Sequence, residues 1–152
     1  MPRILVDADA CPVKQEVYRV AARYDLEVIL VANSWMRIPE GPRHALVVVE
    51  GDFDAADDWI VGHVIEEDIV VTGDILLASR CLKKGARVLG HSGRPFTENG
   101  IGDAVATKEL LSQLRGAGTY SGGPAALEQR DRSRFLQSLD ELVLAARRRE
   151  GS

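Results

Sequence analysis

Five short apolar runs, each too brief for a helix, recur along the chain with amphipathic segments and turns between them. RILV at 3–6, EVILVA at 27–32, ALVVV at 45–49, DIVVT at 68–72 and the run at 86–89 read as β-strands. After the first run, Val13, Val17, Val20, Ala21 and Tyr24 fall at helical spacing, with Pro12 suited to a first helical turn. After the third, Gly51 and Asp52 make a turn and Asp54 opens a helix whose Ala56, Ile60 and Val64 point inward. A short helix over 75–84, closed by Gly85, joins the fourth run to the fifth. A Gly-, Pro- and Asn-rich loop at 90–102, a helix near 103–115, a GTYSGGP turn at 118–124 and a last helix follow. That last helix carries Phe135, Leu139, Leu142 and Val143 on one side.

Strands joined by helices imply parallel pairing with right-handed crossovers. The expectation is an α/β fold: a doubly wound, mostly parallel five-stranded sheet with helices on both faces. A chain of 152 residues is the usual size of a single domain. Residues 1–145 are expected to form it, with a frayed tail over 146–152. No apolar stretch is long enough for a signal-peptide core or a membrane span, which points to the cytoplasm and away from membranes. Cys11 and Cys81 stand alone, without a CxxC, so neither a disulfide framework nor a zinc knuckle is indicated.

In sheets of this kind ligands bind beyond the carboxyl ends of the strands, and aspartates collect there. Asp7 and Asp9 follow the first strand, two residues apart, and Asp74 follows the fourth. Asp54 and Asp57 start the helix after the third strand, on one face. Carboxylates brought together repel unless a cation lies between them, and hard oxygen ligands suit Mg2+ or Mn2+. Two such ions could align a water with a phosphodiester and stabilise the leaving oxygen. Asp7, Asp9, Asp54, Asp57 and Asp74 are thus candidate metal ligands, with Asp7, Asp9 and Asp74 at the centre of the chemistry.

Each acid also has a plain structural role available. Asp54 is a natural helix N-cap and Asp57 would favour the helix dipole. Asp52 and Asp58 read as turn and surface residues, and Asp68 lies at the opposite edge. A carboxylate ending a four-residue apolar strand, as Asp7 does, is costly unless paired, capping or bound. Cys11 is expected to be buried or to cap, and His44, His63 and His91 have no motif context.

Candidate substrate contacts are Lys14, Asn33, Thr72, Arg130 and Arg132. Asn33, with Ser34, follows the second strand, where turn formation is the alternative. Thr72 could bind a phosphate or cap the next helix. Lys14 opposes the dipole of the first helix and so calls for a partner such as Asp9 or a phosphate. The net charge of −4 disfavours non-specific nucleic-acid binding. Acids gather in 50–74, however, while Arg130, Arg132, Arg134 and Arg147 to Arg149 load the C-terminal end. A basic arm beside an acidic site suits RNA or another phosphate-rich substrate; a solvated helix face is the alternative.

VDADACPVK at 6–14, VAN at 31–33, GDFDAAD at 51–57, DIVVTGDILLA at 68–78 and SGGPAALEQRDRSRF at 121–135 resemble the YaiI/YqxD family of bacterial proteins. The likeness runs from about residue 3 to residue 143. It implies a fold related to the PIN domain, whose relatives are largely magnesium- or manganese-dependent ribonucleases. By that resemblance Asp7, Asp54 or Asp57, and Asp74 match the superfamily's acidic positions. A divalent-metal-dependent ribonuclease or related phosphodiesterase is therefore the leading expectation. ILVDAD also resembles the haloacid-dehalogenase phosphatases, whose first Asp is a nucleophile and second a general acid; here Ala10 and Cys11 replace the usual Gly-Thr. A non-catalytic RNA- or protein-binding module is the third reading.

Overall fold

The structure, a computed structural model, describes residues 2–52, 54–98, 100 and 127–150. The helix expected near 103–115 and the turn at 118–124 lie outside the described residues. Five strands form one sheet: β1 (Ile4–Asp7), β2 (Val28–Ala32), β3 (His44–Val48), β4 (Ile69–Val71) and β5 (Arg87–Leu89). All four pairings are parallel, in the order β3-β2-β1-β4-β5. The described helices are α1 (Lys14–Tyr24), α2 (Ala55–His63), α3 (Ile75–Lys83) and α4 (Gln129–Glu150).

Alternate residues of the strands feed two separate cores, as a pleated sheet covered on both faces requires. Ile4, Val6, Leu30, Ile69 and Val71 meet Val17, Val20 and Ala21 of α1 and Phe135, Leu139 and Val143 of α4. On the other face Leu5, Val31, Val70 and Val88 meet Ala56 and Ile60 of α2 and Leu77, Ala78 and Cys81 of α3. The sheet is doubly wound, as expected. The last helix runs through the segment expected to fray, as far as Glu150, with Ala146 buried.

Strand order decides where a site can form. The chain builds outward from β1 to β2 and β3, then returns by α2 to place β4 on the other side of β1. The winding reverses between β1 and β4, so their exits diverge and leave a crevice at the carboxyl edge. Asp7 ends β1 there, and Thr72 and Asp74 leave β4 there. At the opposite edge, Asp68 is almost wholly buried. It accepts two hydrogen bonds from Arg3, at 2.8 and 3.0 Å, and one from the Ile65 amide at 2.9 Å. That turn residue is thus a structural ion pair as well.

Candidate functional site

Thr72 joins the two strand ends at the switch point. It is fully buried; its hydroxyl donates to Asp7 Oδ2 at 2.9 Å and accepts the Asp74 amide at 3.0 Å. One side chain therefore orients the Asp7 carboxylate and fixes the entry of α3. Asp74 caps that helix, its Oδ1 accepting from the amides of Leu76 at 2.8 Å and Leu77 at 3.3 Å. Asp9 Oδ2 accepts the Asn33 backbone amide at 2.9 Å and so ties the exit of β1 to that of β2. The exposed side chain of Asn33 takes no part in that bond. Between Asp9 and Cys11, Ala10 adopts a left-handed conformation with φ of 59°, unusual for a residue with a Cβ and costly unless its surroundings hold it.

The acids of α2 complete the cluster unevenly. Asp54 stands at the N-cap position, exposed and making no side-chain cap hydrogen bond, whereas Asp57 in the first turn is half-buried. Burial pushes the Asp57 carboxyl up to about 6, and the charges of Asp7, Asp74 and Asp54 add to that, Arg80 opposing. Asp7 is raised too, by burial first; the Thr72 hydrogen bond opposes this and the charges of Asp74 and Asp9 reinforce it. Asp7, Asp57 and Asp74 thus feel one another across the crevice although they come from three elements. Among the described residues, no three His, Cys, Asp or Glu side chains lie close enough together to hold one metal ion.

The cationic candidates serve the scaffold here. Lys14 donates to the Cys11 carbonyl at 3.3 Å, so its partner is a loop oxygen rather than Asp9. Arg132 of α4 donates to the Pro12 carbonyl at 2.6 Å and lies 3.6 Å from Glu16, pinning the loop after β1. Arg130, exposed, pairs with Glu128 at 2.8 Å. Cys11 is buried, and burial raises its thiol pKa. Pro12 sits in the turn before α1, which starts at Lys14.

Sequence reasoning missed the exit of β5. A cleft of about 580 Å³ opens beside the aspartates, lined by Gly73, Gly90, His91, Arg94 and Phe96 among others. The His91 ring lies against Gly73, where an added Cβ would sit 3.0 Å from its Cε1. His91 Nε2 is buried with no hydrogen-bond partner among the described residues. Burial, aided by the charge of Lys14, lowers the His91 pKa. The rule that drew attention to Asp7 and Asp74, applied to the fifth strand, would have pointed to His91.

A model of the family described as uncharacterised BCR, YaiI/YqxD family, matches residues 5–145. A UPF0178 protein of Paramagnetospirillum magneticum is 51% identical over 148 residues, 97% of this chain and 98% of the relative. One from Rhodospirillum centenum is 54% identical over 149 residues, covering 95% and 97%. A third, from Brucella ovis, is 53% identical over 146 residues, covering 95% and 91%. No solved structure matches the chain. No helix among the described residues is long and apolar enough to cross a membrane.

Proposed function

This chain belongs to the YaiI/YqxD family, and from that premise we propose that it is a divalent-metal-dependent phosphodiesterase with RNA as its substrate class. The PIN-like kinship implied by its motifs belongs to the same reading. One observation carries it: Asp7, Asp57 and Asp74 border the same switch-point crevice closely enough that, with burial, the charges of the other two help hold the Asp57 carboxyl at about 6. A protein gains no stability from such an arrangement; a cation would relieve it.

In kind, the donor set fits magnesium or manganese: hard carboxylate oxygens with no thiolate or imidazole among them. These ions take one or two carboxylates directly and keep several waters, so an open set of acids suits them better than a closed cage. Asp7, Asp57 and Asp74 would hold the ion, with Asp9 and Asp54 at the margin. When bound, the ion would supply Lewis-acid stabilisation of charge developing on the phosphodiester and make a water a better nucleophile.

The protein's own groups do the positioning. Thr72 holds Asp7 in one orientation through its 2.9 Å hydrogen bond. Asp9 fixes the neighbouring loop through the Asn33 amide. Lys14 brings positive charge to the loop after β1, where an incoming phosphate needs it. The phosphatase reading ranks behind, because it asks Asp9 to donate a proton while Asp9 Oδ2 serves the Asn33 amide.

Calorimetric titration of manganese into wild type and Asp7→Asn, followed by labelled single-stranded RNA, tests the proposal. Metal binding and cleavage that disappear together in a folded variant support it. Full activity in Asp7→Asn, or no metal binding by wild type, overturns it. Trapping of Asp7 by beryllofluoride would instead favour a phosphatase, and RNA binding without turnover a binding module.

A further inference from the structure

The cleft at the exits of β4 and β5 is built differently from the acidic crevice beside it. Two glycines form parts of its wall, and each lies against an aromatic side chain. A Cβ on Gly73 would meet His91 Cε1 at 3.0 Å and Nδ1 at 3.1 Å; one on Gly90 would meet Phe96 Cε2 at 3.3 Å. A Cβ on Gly90 would also meet the Arg94 carbonyl at 3.3 Å, so a larger residue at either position would crowd the cleft wall by a few tenths of an ångström. The volume of about 580 Å³ falls in the range of small-ligand sites. Arg94 is exposed at its rim, and the charge of Lys14 reaches His91.

With His91 and Phe96 among its lining residues, the cleft suits a planar partner, since aromatic side chains stack on any base with a π-face. Arg94 at the rim, with the charge of Lys14 nearby, selects an anion attached to that partner. His91 Nε2, buried and without a partner among the described residues, is a polar group that a base edge could satisfy once the ring turns toward it. Gly73 lies between Thr72, which holds Asp7, and Asp74, so the cleft adjoins the acids by a single residue. We propose that this cleft is a nucleobase site, taking the base of a nucleotide whose phosphate lies toward Lys14 and Arg94. The inference rests on the phosphodiesterase reading of the neighbouring aspartates and adds what fixes the register of the strand.

The test separates base binding from catalysis by working in chelator. The four ribonucleoside 5′-monophosphates are titrated into the full chain, followed by amide chemical shifts and by affinity. At least one should saturate the protein and shift the amides of Gly73, Gly90 and His91. His91→Ala and Arg94→Glu should each weaken that binding about tenfold or more. Arg94 is exposed, so its variant keeps the test valid even where His91→Ala melts early. No saturable binding by any of the four, or affinity unchanged in a folded Arg94→Glu and His91→Ala, overturns the base site. Metal-dependent cleavage without mononucleotide binding would sink this inference alone. Binding in chelator with no cleavage under any metal would leave the base site standing and remove the phosphodiesterase.

Discussion

Burial and three neighbouring carboxylates raise the Asp57 carboxyl to about 6 from an ordinary value of 3.8, and the sign of the consequence follows from linkage. The folded state holds this proton more tightly than the unfolded chain does, so stability falls as pH rises through roughly pH 4 to 6. The penalty is complete at pH 7. Asp57→Asn should therefore stabilise the metal-free protein at pH 7 by about 1 kcal/mol, a figure already discounted for solvent screening. The gain should vanish near pH 4. Urea melts in chelator at the two pH values would show it, and an equal or negative effect at pH 7 would contradict the mutual repulsion. The cysteines give a second expectation at this scale. Burial raises both thiols, Cys81 to about 11, so neither offers much thiolate at pH 8. Ellman's reagent should label the native protein slowly and both thiols at once after unfolding; rapid labelling of Cys11 in the native state would contradict its burial.

Elements were more legible than their partners. Apolar runs and Gly85 located all five strands and α3 to within a residue or two. The edge strand β3 is partly exposed but keeps an apolar run, and burial on both faces leaves a local signature in β1, β2, β4 and β5. Hydrogen bonds across the sheet leave none. Thr72 and Asp7 lie 65 positions apart, and no spacing rule links them. The helix starts make the same point, since Asp54 and Asp74 look alike in sequence. Asp74 caps through its side chain and Asp54 does not, as their backbones differ: extended at Asp74 with ψ of 112°, but not at Asp54 with ψ of 5°. The arginines of α4 were legible only as charge, and Arg132 proves to hold the Pro12 carbonyl. Thr72→Val, which keeps the shape but loses both hydrogen bonds, should cost about 1–3 kcal/mol and weaken manganese binding. Thr72→Ser should recover most of both. A Thr72→Val protein with wild-type stability and metal affinity would show that this link between β1 and α3 is dispensable.

At the scale of the molecule, the chain closes one face of its sheet last. Phe135, Leu139 and Val143 of α4 are fully buried in the core they share with Ile4, Val6, Leu30 and Val71. Truncating one such side chain to alanine typically costs about 2–5 kcal/mol, and a whole domain of this kind has only about 5–15 kcal/mol in hand. Of the described helices, a chain ending before Gln129 would leave α1 alone on that face and expose the part of the core that α4 covers. It should show no cooperative unfolding transition. Phe135→Ala is the gentler probe, expected to lose about 3–5 kcal/mol while still folding. The consequence for the site is specific. Arg132 carries the docking of α4 to the loop after β1, and Gly93 lies on the α4 backbone, where a Cβ would come within 2.7 Å of the Phe135 nitrogen. The loops after β1 and β5, which flank the acidic crevice and the cleft, therefore both lean on α4. Hydrogen exchange in Phe135→Ala should rise first in α4 and in these two loops, while β1, β2 and β4 stay protected. Uniform loss of protection would mean that α4 and the sheet open as one unit. Protected loops over an exposed α4 would mean that the site holds its shape without the helix.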